Sequence, residues 1–212
     1  MRSIQSGSLV RHELEVQRSR FITTVAHTPT ESAARTFISE IKTEFPDATH
    51  NCSAFVVKPD GMNEVGHSSD DGEPSGTAGP PMLEVLLQNK LVNVTAVVTR
   101  YFGGTLLGAG GLIRAYSTSV SETLDRCQVV QLVDQRRFRV TVDYDVAGRL
   151  EAQLRARHAQ ILDAAYTNRV QLVFSTDEPL ASRIGSLIAE VASEPVPVEE
   201  LDPLTVEKPV SR

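Results

Sequence analysis

The sequence predicts an α+β protein of two domains. Three observations carry this. Strand and helix patterns alternate up to about residue 134, and a second run of β-α-β-β-α-β character starts at Arg136. Only the first run is interrupted by bare, aperiodic stretches: "DDGEPSGTAGPPM" (Asp70–Met82) and "RYFGGTLLGAGGLIRAYS" (Arg100–Ser117). The expected boundaries are 1–134, 135–202 and a polar tail over 203–212.

The elements follow in order. "LVRHELEV" and "SRFITTVAH" read as two opening strands. Thr28-Pro29-Thr30-Glu31 reads as a capping box with proline at the first helical position. Ala34, Phe37, Ile38, Ile41 and Phe45 then form one helical stripe, and Pro46 stops it. "SAFVVK" is a strand that ends at a Pro59-Asp60-Gly61 turn. Residues 62–79 show no period. A short helix is expected from Pro80 or Pro81, with Met82, Val85 and Leu86 inward. "VNVTAVVT" is a buried strand ending at Arg100. The next helix is expected over 110–127, with Ile113, Tyr116, Val120 and Leu124 on its apolar face.

In the second run "RRFRVTVDY" is a strand and Val146–His158 a helix. "AQILDAAY" and "RVQLVFS" are strands, Glu178–Ala192 is a helix, and "VPVEEL" closes the run. That order is ferredoxin-like.

Composition narrows the function classes. The 212 residues carry 21 Lys and Arg against 27 Asp and Glu, a net charge of −6, which argues against indiscriminate nucleic-acid binding. Charge is uneven, however. Residues 135–169 hold seven arginines against four acids, so either a local basic face or an ordinary solvated surface is compatible with them. Cys52 and Cys127 are the only cysteines, which excludes a disulfide framework and a cysteine-based zinc site. No signal-peptide core and no run of membrane-spanning length is present, so a cytoplasmic protein without membrane contact is expected.

The bare stretches hold the candidate site. Gly108, Gly110 and Gly111 fall at the start of a helix, where the first N–H groups lack partners and the dipole is positive. Such an end suits a phosphate-like anion, with Arg114 in the first turn and Arg100 at the preceding strand end as guanidinium donors. The dinucleotide pattern fails because Ile113 stands where glycine is needed, and no lysine follows the glycines as a Walker loop requires. A purely steric need for glycine explains the stretch equally well. Asp70, Asp71 and Glu73, with His50 or His67, could offer metal ligands, yet their spacing is not that of a calcium loop. Turn capping and pairing with Arg100 or Arg114 is the better use of these acids, so no metal and no cofactor is expected. The segment also misses the G-x-S-x-G elbow by one position.

These residues also carry a resemblance. "DATHNCSAF", "SSDDGEPSGTAGPPML" and "VVTRYFGGTLLGAGGLIRAYS" resemble the signatures of the YigZ/IMPACT family, bacterial YigZ type. The resemblance implies an N-terminal left-handed βαβ fold, shared by a ribosomal small-subunit protein domain and the GHMP kinases. It implies a C-terminal ferredoxin-like domain similar to the last domain of elongation factor G. Eukaryotic members regulate translation initiation, using a further domain that is absent here. Pro80 and Thr105-Leu106-Leu107 stand where the family often carries positive charge.

The leading expectation is therefore a translation-related regulator, not an enzyme, that binds RNA, the ribosome or a translation factor. Its N-terminal cleft would be lined by His50, Asn51, Asp70, Asp71, Glu73, Thr77 and Tyr101, with Arg100 and Arg114 supplying positive charge. Two alternatives stay open: an enzyme acting on phosphate esters or nucleotides, including a metal-dependent hydrolase, and a protein-binding regulator that takes no nucleic acid. Oligomeric state is not legible.

Overall fold

The structure, a computed structural model, describes residues 1–59 and 62–210. The expected turn at Asp60-Gly61 lies outside them. The chain divides into two compact units, Met1–Gln131 together with the residues from Lys208 onward, and Leu132–Glu207.

The first unit is built on a five-stranded sheet. Its strands are β2 (Leu9–Val16), β3 (Ser19–His27), β4 (His50–Val57), β5 (Val65–Ser69) and β6 (Val94–Tyr101), in the order β2-β3-β6-β4-β5. β3, β6 and β4 are nearly solid runs of buried Val, Ala, Thr and Phe, as strands covered on both faces must be. β2 alternates half-buried and exposed residues, as an edge should. Gln17 and Arg18, both at positive φ, make the two-residue turn between β2 and β3.

Helix α1 (Glu31–Glu44) covers one face. Its Ala34, Phe37 and Ile41 pack on Ala26, Phe55, Val57 and Val97. The N-cap is Thr30, whose hydroxyl accepts from the Ala33 amide, two residues later than the capping box predicts. Thr28 is kept from capping because its hydroxyl bonds Thr95 at 2.6 Å inside the sheet. Helices α2 (Gly79–Gln88) and α3 (Gly108–Leu124) lie against the other face. There Ser119 of α3 bonds Thr23, and Tyr116 meets Phe21 edge-on at 5.2 Å.

Two expectations are corrected, and one element is new. β5 lies inside the stretch read as aperiodic; only Val65 on it is a strong strand former, and pairing with β4 makes the strand. Ile113 points to solvent, whereas Tyr116, Val120 and Leu124 are buried as expected, joined by Leu112, Ala115, Ser119 and Thr123; α3 also begins two residues earlier than expected. A short strand, β1 (Arg2–Ile4), pairs with Val129–Gln131 and buries Ile4 completely.

The second unit has the order β10-β7-β9-β8, formed by β7 (Val129–Val142), β8 (Gln160–Tyr166), β9 (Val170–Thr176) and β10 (Val198–Pro209). Helices α4 (Tyr144–Ala156) and α6 (Ile184–Ala192) bury Leu150, Leu154, Leu187 and Ile188 against Phe138, Val140, Leu172 and Phe174. This is the ferredoxin-like pattern. The expected helix over 178–192 is broken into α5 (Glu178–Ala181) and α6 by Arg183, whose φ of −117° is not helical.

No linker occupies 130–135. Val129, Val130, Leu132 and Val133 extend β7 through it, and Gln131 lies within β7 too. Nor is 203–209 a loose tail: β10 continues through it with Leu204 and Val206 half-buried, and the Thr205 hydroxyl donates to Asp134 at 2.7 Å. The arginine surplus is largely consumed within the unit. Arg136 pairs with Glu200 and Glu178, Arg139 with Glu199, Arg155 with Glu151 and Arg169 with Asp143. Among the described residues, no helix is long and apolar enough to cross a membrane.

Candidate functional site

The site lies in the first unit, where β6 ends. Arg100 stands beside Phe21 of β3 and His50 of β4 in the register of the sheet, so its side chain emerges on the α3 face. Its guanidinium sits between two phenyl rings, 5.4 Å from Phe21 and 5.7 Å from Phe102. Its Nη1 donates to Glu73 Oε1 at 2.5 Å, and the two side chains are only 6% and 3% exposed. The Tyr116 hydroxyl donates to the same oxygen at 2.8 Å. A buried carboxylate of this kind is tolerable because one full positive charge and a second donor face it.

The segment from Asp70 to Gly79 is a scaffold that delivers Glu73. Asp70 accepts three backbone amides, from Gly76, Ala78 and Gly79, at 2.8–3.0 Å. Burial raises its pKa, but those three bonds outweigh it and hold the carboxyl below its ordinary value. Asp71, at a φ of 45°, accepts from the Asn51 amide at 2.7 Å and from Lys42 at 2.5 Å. The Thr77 hydroxyl donates to the Pro74 carbonyl, and Asn51 accepts from Thr99. Of these acids, only Glu73 reaches the cleft lining. The acids are spent inward, on amides and cations, and among the described residues no group of three His, Cys, Asp or Glu side chains could hold a metal ion.

Burial governs the remaining groups. The Cys52 thiol donates to the Asp70 carbonyl at 2.9 Å and is pushed up to about 12, mainly by desolvation. Burial, with Cys52 and Glu73 beside it, pushes the Tyr116 phenol far above its ordinary range. His50 donates through Nδ1–H to the Asp71 carbonyl, which leaves Nε2 3.8 Å from Glu73.

Above this polar floor opens a pocket of about 370 Å³. His50, Glu73 and Arg100 form its base, with Phe102, Leu106, Leu107, Ala109 and Leu112 as walls and Gly108 at the start of α3. Of the residues singled out from sequence, His50, Glu73, Arg100 and Gly108 line it. Asn51, Asp70, Asp71 and Thr77 support the floor from behind. Tyr101 is turned away, donating to Asp47 at 2.9 Å, with Arg20 5.5 Å from its ring. Gly110 and Gly111 are not in the lining. Arg114 is exposed, outside the pocket and unpaired with any acid of the 70–73 loop, because its position on α3 follows exposed Ile113 toward solvent. Arg100 supplies that pairing alone. Sequence reasoning missed Phe102, Leu106 and Leu107; the signal was three large apolar residues inside a glycine-rich loop, where nothing requires them for packing.

Comparison with known proteins matches both units of the chain. The model of the Impact N-terminal domain matches residues 17–124, and that of a domain of unknown function, DUF1949, matches residues 140–193. The IMPACT family member YvyE of Bacillus subtilis is 40% identical over 94% of this chain and 91% of its own. The IMPACT homolog of Saccharomyces cerevisiae is 36% identical over 42% of this chain and 35% of its own. A crystal structure of a protein described only as hypothetical superposes with a TM-score of 0.63 at 32% identity, over 95% of this chain and 98% of that one. With an Impact N-terminal domain followed by DUF1949 and a bacterial relative alike over nearly its whole length, the chain belongs to the IMPACT family.

Proposed function

We propose that the chain is a translation-related cytoplasmic regulator that acts by binding, and that the pocket above Arg100 and Glu73 is its docking point for a protein component of the translation machinery. The observation that carries this reading is the chemistry of the rim. Phe102 is 46% exposed and Leu106 85% exposed, while the charges beneath them neutralise one another. Large apolar groups held at a pocket mouth suit a protein contact. Family membership supports the translational half, since eukaryotic members regulate translation initiation.

A binding mode that follows an RNA backbone is less well supported. It needs a row of cations free to meet phosphates, and although Arg114 is exposed, Arg11, Arg20, Arg35 and Lys42 of this unit each hold a carboxylate. A metal-dependent hydrolase is also less well supported, because Asp70 and Asp71 have their oxygens engaged by amides and Lys42.

The test is a translation system reconstituted from purified components. Adding the chain should change the rate of reporter synthesis, and Phe102→Ala should lose most of that effect while melting near the wild-type temperature. No effect of the wild type, or an unchanged effect in Phe102→Ala, would remove the proposal.

A further inference from the structure

We infer that this pocket takes the carboxy-terminus of a partner chain, with an apolar last side chain between its walls and the terminal carboxylate at the start of α3. The inference rests on the reading above that the pocket docks a protein. Two independent features point to an anion. The first is Arg100: only 5% exposed, it lines the pocket, and although its Nη1 and Nη2 donate to Glu73 and Ser19, its buried Nε–H has no partner among the described residues and calls for an acceptor. An orphaned donor on a buried cation is costly, and native proteins keep such groups satisfied by a bond or a ligand. The second is the 17-residue helix α3 itself, which begins at the pocket with Gly108 and Ala109. Its N-cap is Leu107, whose side chain has no oxygen with which to accept from the first turn, so those amides have no side-chain cap.

The charge balance selects the same ligand. Glu73 is matched by Arg100 and Tyr116 and so leaves no net negative charge at the floor. The positive end of the α3 dipole is then the unbalanced field in the pocket. Gly108, at a φ of 68°, turns the chain into the helix, and both it and Ala109 are exposed. The walls, by contrast, are Phe102, Leu106, Leu107 and Leu112, which offer a bare inorganic anion nothing. A ligand that is apolar along its length and anionic at its end satisfies both. A chain ending in a large apolar residue has that form, and capture of a terminal carboxylate by backbone amides is an established mode of peptide recognition.

The experiment uses the full chain and a short fluorescein-labelled peptide ending in leucine, prepared with a free carboxylate and as the amide. Anisotropy should show the acid binding about tenfold or more tightly than the amide, the factor expected for charge-assisted hydrogen bonds. Leu106→Glu changes a side chain at the solvent-facing rim and should weaken the acid by a similar factor without altering the melt. Ala109→Pro removes one amide where proline is tolerated in a first helical turn, and it should reduce the preference for acid over amide. Should Ala109→Pro unfold the chain, Leu106→Glu and the acid–amide pair decide. Equal binding of acid and amide, no binding of either at millimolar concentration, or displacement of the peptide by inorganic phosphate as readily as by unlabelled peptide would each overturn the inference. If Phe102→Ala still abolishes the effect on reconstituted translation in that event, the docking reading survives and the carboxy-terminal specificity alone is lost.

Discussion

The Glu73 carboxylate and the Arg100 guanidinium meet at 2.5 Å almost out of reach of water, one delivered by a loop and the other by the central strand of the sheet. The pair joins the least regular segment of the first unit to its most regular one. Either charge alone would be stranded in a setting that solvates it poorly.

Glu73→Ala should therefore destabilise the first unit by about 3–5 kcal/mol, the usual cost of leaving one buried charge without its partner. Urea titration followed by circular dichroism measures this. The double change Glu73→Leu with Arg100→Met should recover much of the loss, because no charge is then left unpaired. A double variant no more stable than Glu73→Ala would show that the tyrosine contact, and not the ion pair, holds the loop.

Asp70 makes part of the stability depend on acid. Its pKa is lower in the folded state than in the unfolded chain, owing to the Gly76, Ala78 and Gly79 amides. Its contribution is then complete above the ordinary carboxylate value of about 4 and is lost as pH falls through the folded value. Melting temperatures taken between pH 7 and pH 3 should fall less steeply for Asp70→Asn than for the wild type, from a lower starting point. Parallel curves would mean that the amides do not discriminate between the ionised and the neutral side chain.

The glycines should separate cleanly. A Cβ on Gly103 would collide with the Arg18 backbone, and the Gly103 amide also donates to Ser19 at 3.1 Å, so Gly103→Ala must displace the β2–β3 turn. A Cβ on Gly110 meets nothing within 4 Å, and the residue is helical. Gly110→Ala should stabilise by roughly 0.5–1 kcal/mol by the helix-propensity difference, while Gly103→Ala lowers the melting temperature by several degrees. Calorimetry of the two variants checks both signs.

The cysteines should be inert in the folded chain. Desolvation pushes Cys52 up to about 12 and Cys127 up to about 11, so neither supplies thiolate near neutrality. A chromogenic disulfide reagent at pH 8 should label neither until denaturant is added. Rapid labelling of the native protein would mean that the floor of the pocket opens on that timescale.

Much of this was legible in the residues, and what was not has physical causes. The stripe Ala34, Phe37, Ile41 and the buried run of β6 follow from period alone, since each element covers a wide apolar surface. The β-α-β-β-α-β order after Arg136 follows from the same signals. The glycine-rich stretch pointed to Gly108 and Arg100, because a strand end followed by a bare helix start is a local feature. The partners of Arg100 were not local. Glu73 is one of three acids within four residues, and only the turn fixed by Asp70 sends that one inward. Arg114 was misjudged because half a turn of helix, about two residues, separates buried Leu112 at the pocket from a side chain facing solvent. Leu106 was not placed at the pocket mouth because an exposed leucine in a loop has no periodic signature.

The pairing of β1 with Val129–Gln131 has a consequence for how the protein is made. Ile4 is synthesised some 125 positions before the strand that shelters it, roughly ten seconds or so at ordinary synthesis rates. Throughout that interval the amino-terminal segment has no permanent place. The nascent sheet from Leu9 to Tyr101 can assemble without it, but Ile4 is covered only when β1 meets Val129–Gln131.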